Sequence, residues 1–182
     1  MKSNVHAEPV WNHPVTVADI PEEGEEITLA PDEETRSALA RFADVLAVPS
    51  LSARLRLQPD GAGGAIVTGE LDATVKQISV VSLEPFDNKV REEIALRFAP
   101  EGAAPKSSDP DIEFDEADPS DSIRDGVIDL GAVVSEFLVL GIDPYPRKPG
   151  EVFTPPQPVD GDKRDTPFAA LAKLKKKGRS SK

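Results

Sequence analysis

Residues 71–86 read LDATVKQISVVSLEPF, and this stretch decides the fold because apolar and polar residues alternate along it. Alternation with a period of two is typical of a β-strand that buries one face. Beyond Gln77 the apolar positions change phase, to Ile78 and Val80. Because a strand cannot change phase without an extra residue, the pattern predicts a β-bulge or a sharp bend near Lys76–Gln77.

The neighbouring segments predict the partners of this strand. LSARLRLQ (51–58) alternates in the same way, and the glycine-rich PDGAGG (59–64) predicts a hairpin turn between the two strands. No Gly-Lys-Ser/Thr follows these glycines, so a hairpin turn is favoured over a phosphate-binding loop. Further strands are predicted at 15–19, 25–30 and 90–98.

Two segments predict helices that pack on the sheet. APDEETRSALARFADVL (30–46) begins with Pro31, which suits the first helical position. Asp129 can cap the second helix, which ends near Gly141. The predicted buried face of the first helix is Leu39, Phe42, Ala43 and Leu46. The predicted buried face of the second is Leu130, Val133, Val134, Phe137 and Leu138.

These elements predict one α+β domain over residues 15–142. It contains a bent, mainly antiparallel sheet of about five or six strands with two packed helices. The bend leaves closure into a partial barrel open. The acidic insertion 99–122 is predicted to be disordered, because it has too little apolar surface to offset the entropy of ordering it. The leader, residues 1–14, is predicted to be flexible, with Trp11 pinning it to the domain.

The composition excludes several classes of site and of location. The chain has no cysteine, which excludes disulfides, thiolate zinc sites and cysteine nucleophiles and fits a cytoplasmic protein. The N-terminal residues lack the apolar stretch of a secretory signal, and no apolar run is long enough to span a membrane. No catalytic motif, metal site or cofactor-binding motif is present, so we expect neither an enzyme nor a small-molecule substrate.

The C-terminal residues differ from the rest of the chain in charge. The composition of residues 143–166 predicts a proline-rich linker. In residues 167–182, here called the tail, the pattern predicts an amphipathic helix that is too short to be stable alone. The formal net charge of the chain is −12, yet the tail has basic residues and no acid. The candidate contacts for an anionic partner or a protein groove are Lys173, Lys175, Lys176, Lys177, Arg179, Phe168 and Leu171, with a second basic spot at Arg147 and Lys148.

Three blocks of the sequence resemble the YceD family of large ribosomal RNA subunit accumulation proteins. The blocks are SVVSLEPF (79–86), DGVIDLGAVVSEFLVLGIDPYPRKPG (125–150) and PFAALAKLKKK (167–177). The amino-acid sequence of the second block is similar to that of the alphaproteobacterial branch of the family. The resemblance covers roughly residues 15–98 and 123–177. Many members carry a Cys-x-x-Cys pair where this chain has Ser79 and Ser82, so the resemblance implies that a thiol or zinc role is absent here.

The resemblance implies a role in the synthesis or accumulation of 23S ribosomal RNA and in large-subunit assembly. Two mechanisms stay open at this point. The first is a non-enzymatic factor that binds ribosomal RNA or a precursor particle, partly through its basic tail. The second is an acidic chaperone or adaptor that binds a basic large-subunit ribosomal protein.

Overall fold

The computed structural model describes residues 10–61, 63–100, 121–123 and 125–153. The strands are β1 (Pro14–Thr16), β2 (Glu25–Leu29), β3 (Ala47–Pro59), β4 (Ala65–Ile78), β5 (Pro85–Pro100), β6 (Asp121–Ile123) and β7 (Val127–Asp129). The helices are α1 (Glu33–Phe42) and α2 (Leu130–Gly141), and a 3₁₀ turn (Val17–Asp19) follows β1. Neither described α-helix is long and apolar enough to cross a bilayer.

The main sheet has five strands in the order β2-β3-β4-β5-β6. All neighbours in it are antiparallel except β5 and β6, which run parallel. Strands β1 and β7 form a separate antiparallel pair. The prediction of an α+β fold with a mainly antiparallel sheet and two helices is confirmed. The described strands leave β2 and β6 as open edges, so the sheet is not closed into a barrel.

One face of the main sheet carries the core. Alternate residues of the three long central strands turn toward this face, as the period of two requires. The strand residues buried there are Leu51, Ala53, Leu55, Leu57, Val67, Leu71, Ala73, Val75, Val90, Ile94 and Phe98. The helices contribute Leu39, Ala40, Leu130, Val133, Val134 and Leu138. Burial of this apolar surface is the main term that stabilises the domain.

The predicted irregularity in β4 is corrected by the structure. Strand β4 pairs with β5 in an unbroken register that reaches Ile78 opposite Pro85. Its alternation also continues without a change of phase, because Gln77 and Ser79 are buried while Ile78 and Val80 are exposed. The register shift lies instead in β3, between Ala47 and Ser50. At the end of β4, polar residues take the buried positions and apolar residues the exposed ones, while the backbone alternation continues unchanged.

Helix α1 confirms the predicted position and corrects the predicted face. Its cap is Asp32, whose carboxylate accepts a hydrogen bond from the Thr35 amide, so Pro31 precedes the cap. Leu39 is buried as predicted, whereas Phe42 is 57% exposed. Leu46, also assigned to the buried face, lies beyond the helix and is exposed. The helix ends early because Asp44 has a φ of 53°, which breaks the helical path.

Asp129 joins α2 to the N-terminal strand. Its Oδ1 atom accepts hydrogen bonds from the amides of Gly131 (3.0 Å) and Ala132 (3.2 Å), which confirms the predicted cap. The same atom accepts a hydrogen bond from the His13 amide at 2.8 Å. Trp11 is partly buried against the core, as predicted for a residue that pins the leader. The described part of the leader is therefore attached to α2.

The predicted disordered insertion lies largely outside the described residues. Its two ends are described, and they are ordered differently from the prediction. Strand β5 runs on to Pro100, and β6 begins at Asp121, where it pairs in parallel with the end of β5. The predicted boundaries at 99 and 122 therefore fall inside strands, because backbone pairing extends beyond the apolar pattern.

Gly69 provides a test of the β3–β4 packing. It lies opposite Leu55 with a φ of 157°, and a Cβ atom there would overlap the carbonyl oxygen of Arg54. Since that oxygen belongs to the paired backbone, the strands would have to separate. We expect Gly69→Ala to lower the free energy of unfolding by about 3 kcal/mol or more, measured by urea denaturation.

Gly126→Ala is the matched control for this prediction. Gly126 also has a positive φ, of 71°, but a Cβ atom there would meet nothing within 4 Å. Gly126→Ala should therefore lower the free energy of unfolding only by the penalty for an alanine at positive φ, about 1 kcal/mol. Equal losses for the two variants would show that close strand approach at Gly69 is not what excludes a side chain.

Candidate functional site

Only two of the predicted contact residues lie in the part of the chain that the structure describes, namely Arg147 and Lys148. The tail candidates lie outside the described residues and remain predictions. They are Lys173, Lys175, Lys176, Lys177, Arg179, Phe168 and Leu171. The geometry of the site is therefore that of the segment around Arg147 and of the strand end that it contacts.

Residues 143–151, here called the strap, pack against the end of β4. The backbone carbonyl of Asp143 accepts a hydrogen bond from Gln77 Nε2 at 2.9 Å. The carbonyl of Pro146, a buried residue, accepts one from the Val80 amide at 2.9 Å. From its proline content this segment is predicted to be part of an unpacked linker. In the structure these hydrogen bonds attach it to the domain, and the compact unit extends to Glu151.

Ser79 organises the turn that connects β4 to β5. Its hydroxyl oxygen accepts hydrogen bonds from the amides of Val81 (3.1 Å) and Ser82 (3.4 Å). Its own amide donates to the carbonyl of Glu84, and its carbonyl accepts from the amide of Leu83, both at 2.9 Å. The side chain is fully buried. Because a serine hydroxyl has one donor and two acceptor sites, these bonds leave its proton free to bind a partner.

That partner is Glu151, at the far end of the strap. The Ser79 hydroxyl donates to Glu151 Oε2, and the Lys148 amide donates to the same oxygen at 3.1 Å. The hydrogen bond from the Ser79 hydroxyl lowers the pKa of the Glu151 carboxyl, and the Ser82 hydroxyl and the Lys148 amide add to this effect. The carboxylate form is therefore the one that holds the strap.

Gln77 makes the second polar connection beneath the strap. Besides its bond to Asp143, its Oε1 atom accepts a hydrogen bond from Asn88 Nδ2 at 3.0 Å. Throughout the described residues, no buried side-chain nitrogen or oxygen is left without a partner. Since an unpaired buried polar group is costly, the hydrogen bonds from the strap stabilise the buried polar side chains at the end of β4.

The two predicted basic residues on the strap differ in their surroundings. The ammonium group of Lys148 pairs with the Glu84 carboxylate, and the Lys148 side chain is only 26% exposed. Arg147 and the neighbouring Tyr145 are exposed. Lys148 therefore has a structural partner, which reduces the positive charge that it offers to a ligand, while Arg147 lies on the surface.

Five basic side chains of the main sheet are also paired with acids. The pairs join Arg56 to Glu26 (3.2 Å), Lys76 to Asp87 (3.3 Å), Arg91 to Asp72 (2.7 Å), Arg97 to Asp60 (2.6 Å) and Arg54 to Glu70. Four of these pairs are exposed and add little stability, whereas the Arg97–Asp60 pair is largely buried. All five offset positive charge on the sheet. A balanced surface attracts a polyphosphate backbone only weakly.

Sequence reasoning located Ser79 but missed Glu151, Gln77 and Asn88. A signal for Gln77 was available, since continued alternation of β4 places it on the buried face. Glu151 had no such signal, because it is 72 positions from Ser79. In residues 10–61, 63–100, 121–123 and 125–153, no three histidine, aspartate or glutamate side chains converge as metal ligands would.

The comparisons with known proteins give one match. A family model described as "Large ribosomal RNA subunit accumulation protein YceD" matches residues 67–175, which is more than half of the chain. The match begins in β4 and includes β5, α2, the strap and part of the tail. Neither a curated protein nor a solved structure matches the chain.

Removal of the Ser79 hydroxyl should loosen the strap. Ser79→Ala removes the donor to Glu151 and the acceptor for two amides, so we expect a loss of about 1–3 kcal/mol in the free energy of unfolding. Ser52→Ala, at an exposed position of β3, should change it by less than about 0.5 kcal/mol. Chemical denaturation compares the two, and equal effects would contradict a structural role for the Ser79 hydroxyl.

The strap should also depend on pH through Glu151. A carboxyl whose pKa is lower in the folded state stabilises the fold above its unfolded value of about 4.3, and this contribution is lost as pH falls toward the folded value. Glu151→Gln should therefore destabilise the protein at pH 7, and the difference from wild type should shrink toward pH 3. Glu136→Gln, at an exposed position of α2, is the control. A difference that stays constant with pH would contradict the assignment.

Proposed function

The chain belongs to the YceD family of large ribosomal RNA subunit accumulation proteins, and we propose that it acts as a non-enzymatic factor that binds ribosomal RNA or a precursor of the large subunit. In this proposal it supports the accumulation of 23S ribosomal RNA by associating with the RNA as the subunit is built. The family name supports the large-subunit role, and the charge distribution of the chain supports RNA contact through the tail.

The observation that supports the proposal is that the tail carries positive charge without any acidic residue to neutralise it. On the main sheet, Arg54, Lys76 and Arg91 each pair with an acid on a neighbouring strand. From Thr166 to the end of the sequence there are basic residues and no acid. Affinity for a phosphate backbone comes from lysine and arginine that release counterions, so the tail is the segment best suited to supply it.

This contact should be of low sequence specificity. The tail contains no tyrosine or tryptophan, so Phe168 is its single aromatic side chain on which an RNA base could stack. Lysine contacts to phosphates position a protein on RNA without reading its sequence. Arg147, exposed on the strap, is a second candidate contact, and Lys148 contributes less because Glu84 neutralises part of its charge.

A second candidate function is an acidic adaptor for a basic large-subunit ribosomal protein. It is favoured by the formal net charge of −12, which remains negative despite the basic tail. A net negative charge accelerates association with a cationic protein, whereas it repels the phosphates of naked RNA. The two functions are distinguished by which part of the chain binds, since the first depends on tail lysines and the second on the acidic domain.

Neutralising two tail lysines should weaken RNA binding in a salt-dependent way. For Lys175→Gln with Lys176→Gln we expect a loss of about three- to tenfold in affinity for a 23S ribosomal RNA fragment near physiological salt. The slope of log affinity against log salt should fall by roughly 1.5, because each lost phosphate contact contributes about 0.7–0.9. Fluorescence anisotropy over a salt series measures both quantities.

The matched control neutralises two exposed basic residues of the domain, Arg41→Gln with Lys89→Gln. It removes the same charge from the chain but leaves the tail unchanged, so its salt slope should equal that of the wild type. In cells, the tail variant should lower the ratio of 23S to 16S ribosomal RNA more than the control does. Equal slopes for the two variants would refute contact through the tail.

A further inference from the structure

Exposed apolar side chains gather at one place on the domain, beside the end of β4. Leu46 follows α1, Ile78 ends β4, Val80 lies in the turn that follows, and Val139 lies in the last turns of α2. All four are at least 40% exposed, and all four line one groove. The groove has a volume of about 670 Å³, within the range of sites that hold ligands or side chains of a partner.

The inverted pattern of β4 creates this groove. Earlier outward positions of the strand are polar, as Asp72, Thr74 and Lys76 show. At Ile78 and Val80 the outward positions become apolar, while Gln77 turns inward and bonds to the strap. Core packing does not require apolar residues at outward positions. Where a sequence breaks its own pattern and leaves apolar groups grouped in solvent, a binding surface is the usual reason.

The charged residues that line the groove are both acids. Asp44 lies on the turn after α1, and Asp143 lies on the strap. Both are exposed, and Asp143 is held in place because its Oδ1 atom accepts a hydrogen bond from the Tyr145 amide at 2.8 Å. Among the described residues, no arginine, lysine or aromatic side chain lines the groove. The lining therefore suits apolar groups that are accompanied by positive charge.

We infer that this groove binds a segment of a cationic protein, with apolar side chains entering it and lysine or arginine meeting Asp44 and Asp143. The inference deepens the second candidate function, because it gives the acidic domain a defined contact surface. RNA is a poor occupant, since two carboxylates repel phosphates and no aromatic lining residue offers a base a surface to stack on. The mode resembles the binding of an amphipathic segment in an apolar groove.

The test uses the full chain and a labelled peptide of about 14 residues, with leucines at helical spacing and lysines between them. Two further peptides serve as probe controls, one with glutamate in place of lysine and one with serine in place of leucine. Binding is measured by fluorescence anisotropy, and amide shifts in NMR spectra locate the site. The leucine–lysine peptide should bind most tightly and shift the amides of Leu46, Ile78, Val80 and Val139.

Neighbouring residues of α2 provide the matched protein variants. Val139→Lys places a charge in the groove and should reduce affinity by about tenfold or more, as expected when a polar group replaces an apolar contact. Leu140 is 70% exposed and does not line the groove, so Leu140→Lys should stay within about twofold of the wild type. Ile78→Thr, which keeps a β-branched side chain, tests the groove again if Val139→Lys fails to fold.

The acidic lining residues are tested by Asp44→Asn with Asp143→Asn. Asparagine tolerates the positive φ of Asp44, so the turn should be preserved. Affinity should fall about three- to tenfold at low salt, and the difference should shrink as salt is raised. A loss that is independent of salt would overturn the charge assignment.

Several outcomes would overturn the inference. One is an equal effect of Val139→Lys and Leu140→Lys, and another is equal binding of the lysine and glutamate peptides. Self-association that Val139→Lys abolishes would assign the groove to a second copy of the chain. Binding that requires removal of residues 166–182 would assign it to the chain's own C-terminal segment. The RNA assay of Lys175→Gln with Lys176→Gln changes other residues and measures a different ligand, so the two proposals can fail separately.

Discussion

The end of β4 turns polar side chains toward the interior, and their need for hydrogen-bond partners is the constraint on which the rest depends. Gln77 and Ser79 occupy positions that the alternation of the strand makes buried. A buried amide or hydroxyl without a hydrogen-bond partner would lower the free energy of unfolding, because its lost hydration would not be replaced. The strap supplies those partners through Asp143 and Glu151, so the chain after α2 is held against the strand.

The same constraint connects the fold to the proposed groove. Because the pattern inverts, the outward positions at the strand end are apolar, and they line the groove with residues from α2 and from the turn after α1. The strap is attached up to Glu151, which is where the compact unit ends. Several arginine and lysine side chains of the main sheet are paired with acids. We therefore propose the tail for phosphate contact and the groove for protein contact.

Local patterns predicted most of the fold. The hairpin of β3 and β4 and the Asp129 cap depend on residues near one another in the chain, so sequence alone could identify them. The early end of α1 could not be predicted, because it depends on the backbone angle of Asp44. Nor could the parallel pairing of β6 or the bond from Ser79 to Glu151, since both join distant positions. The tail candidates came from charge alone and await a test.

The most direct measurement of the central claim is native-state hydrogen exchange at the Val80 amide in the unmodified protein. The Val80 side chain is exposed, so a free strand end would leave this amide open to exchange. Its hydrogen bond to the Pro146 carbonyl should instead protect it to nearly the extent seen in the centre of β4. Exchange at the rate of an unprotected amide would contradict this, because it would show that the strap is not held by the strand end.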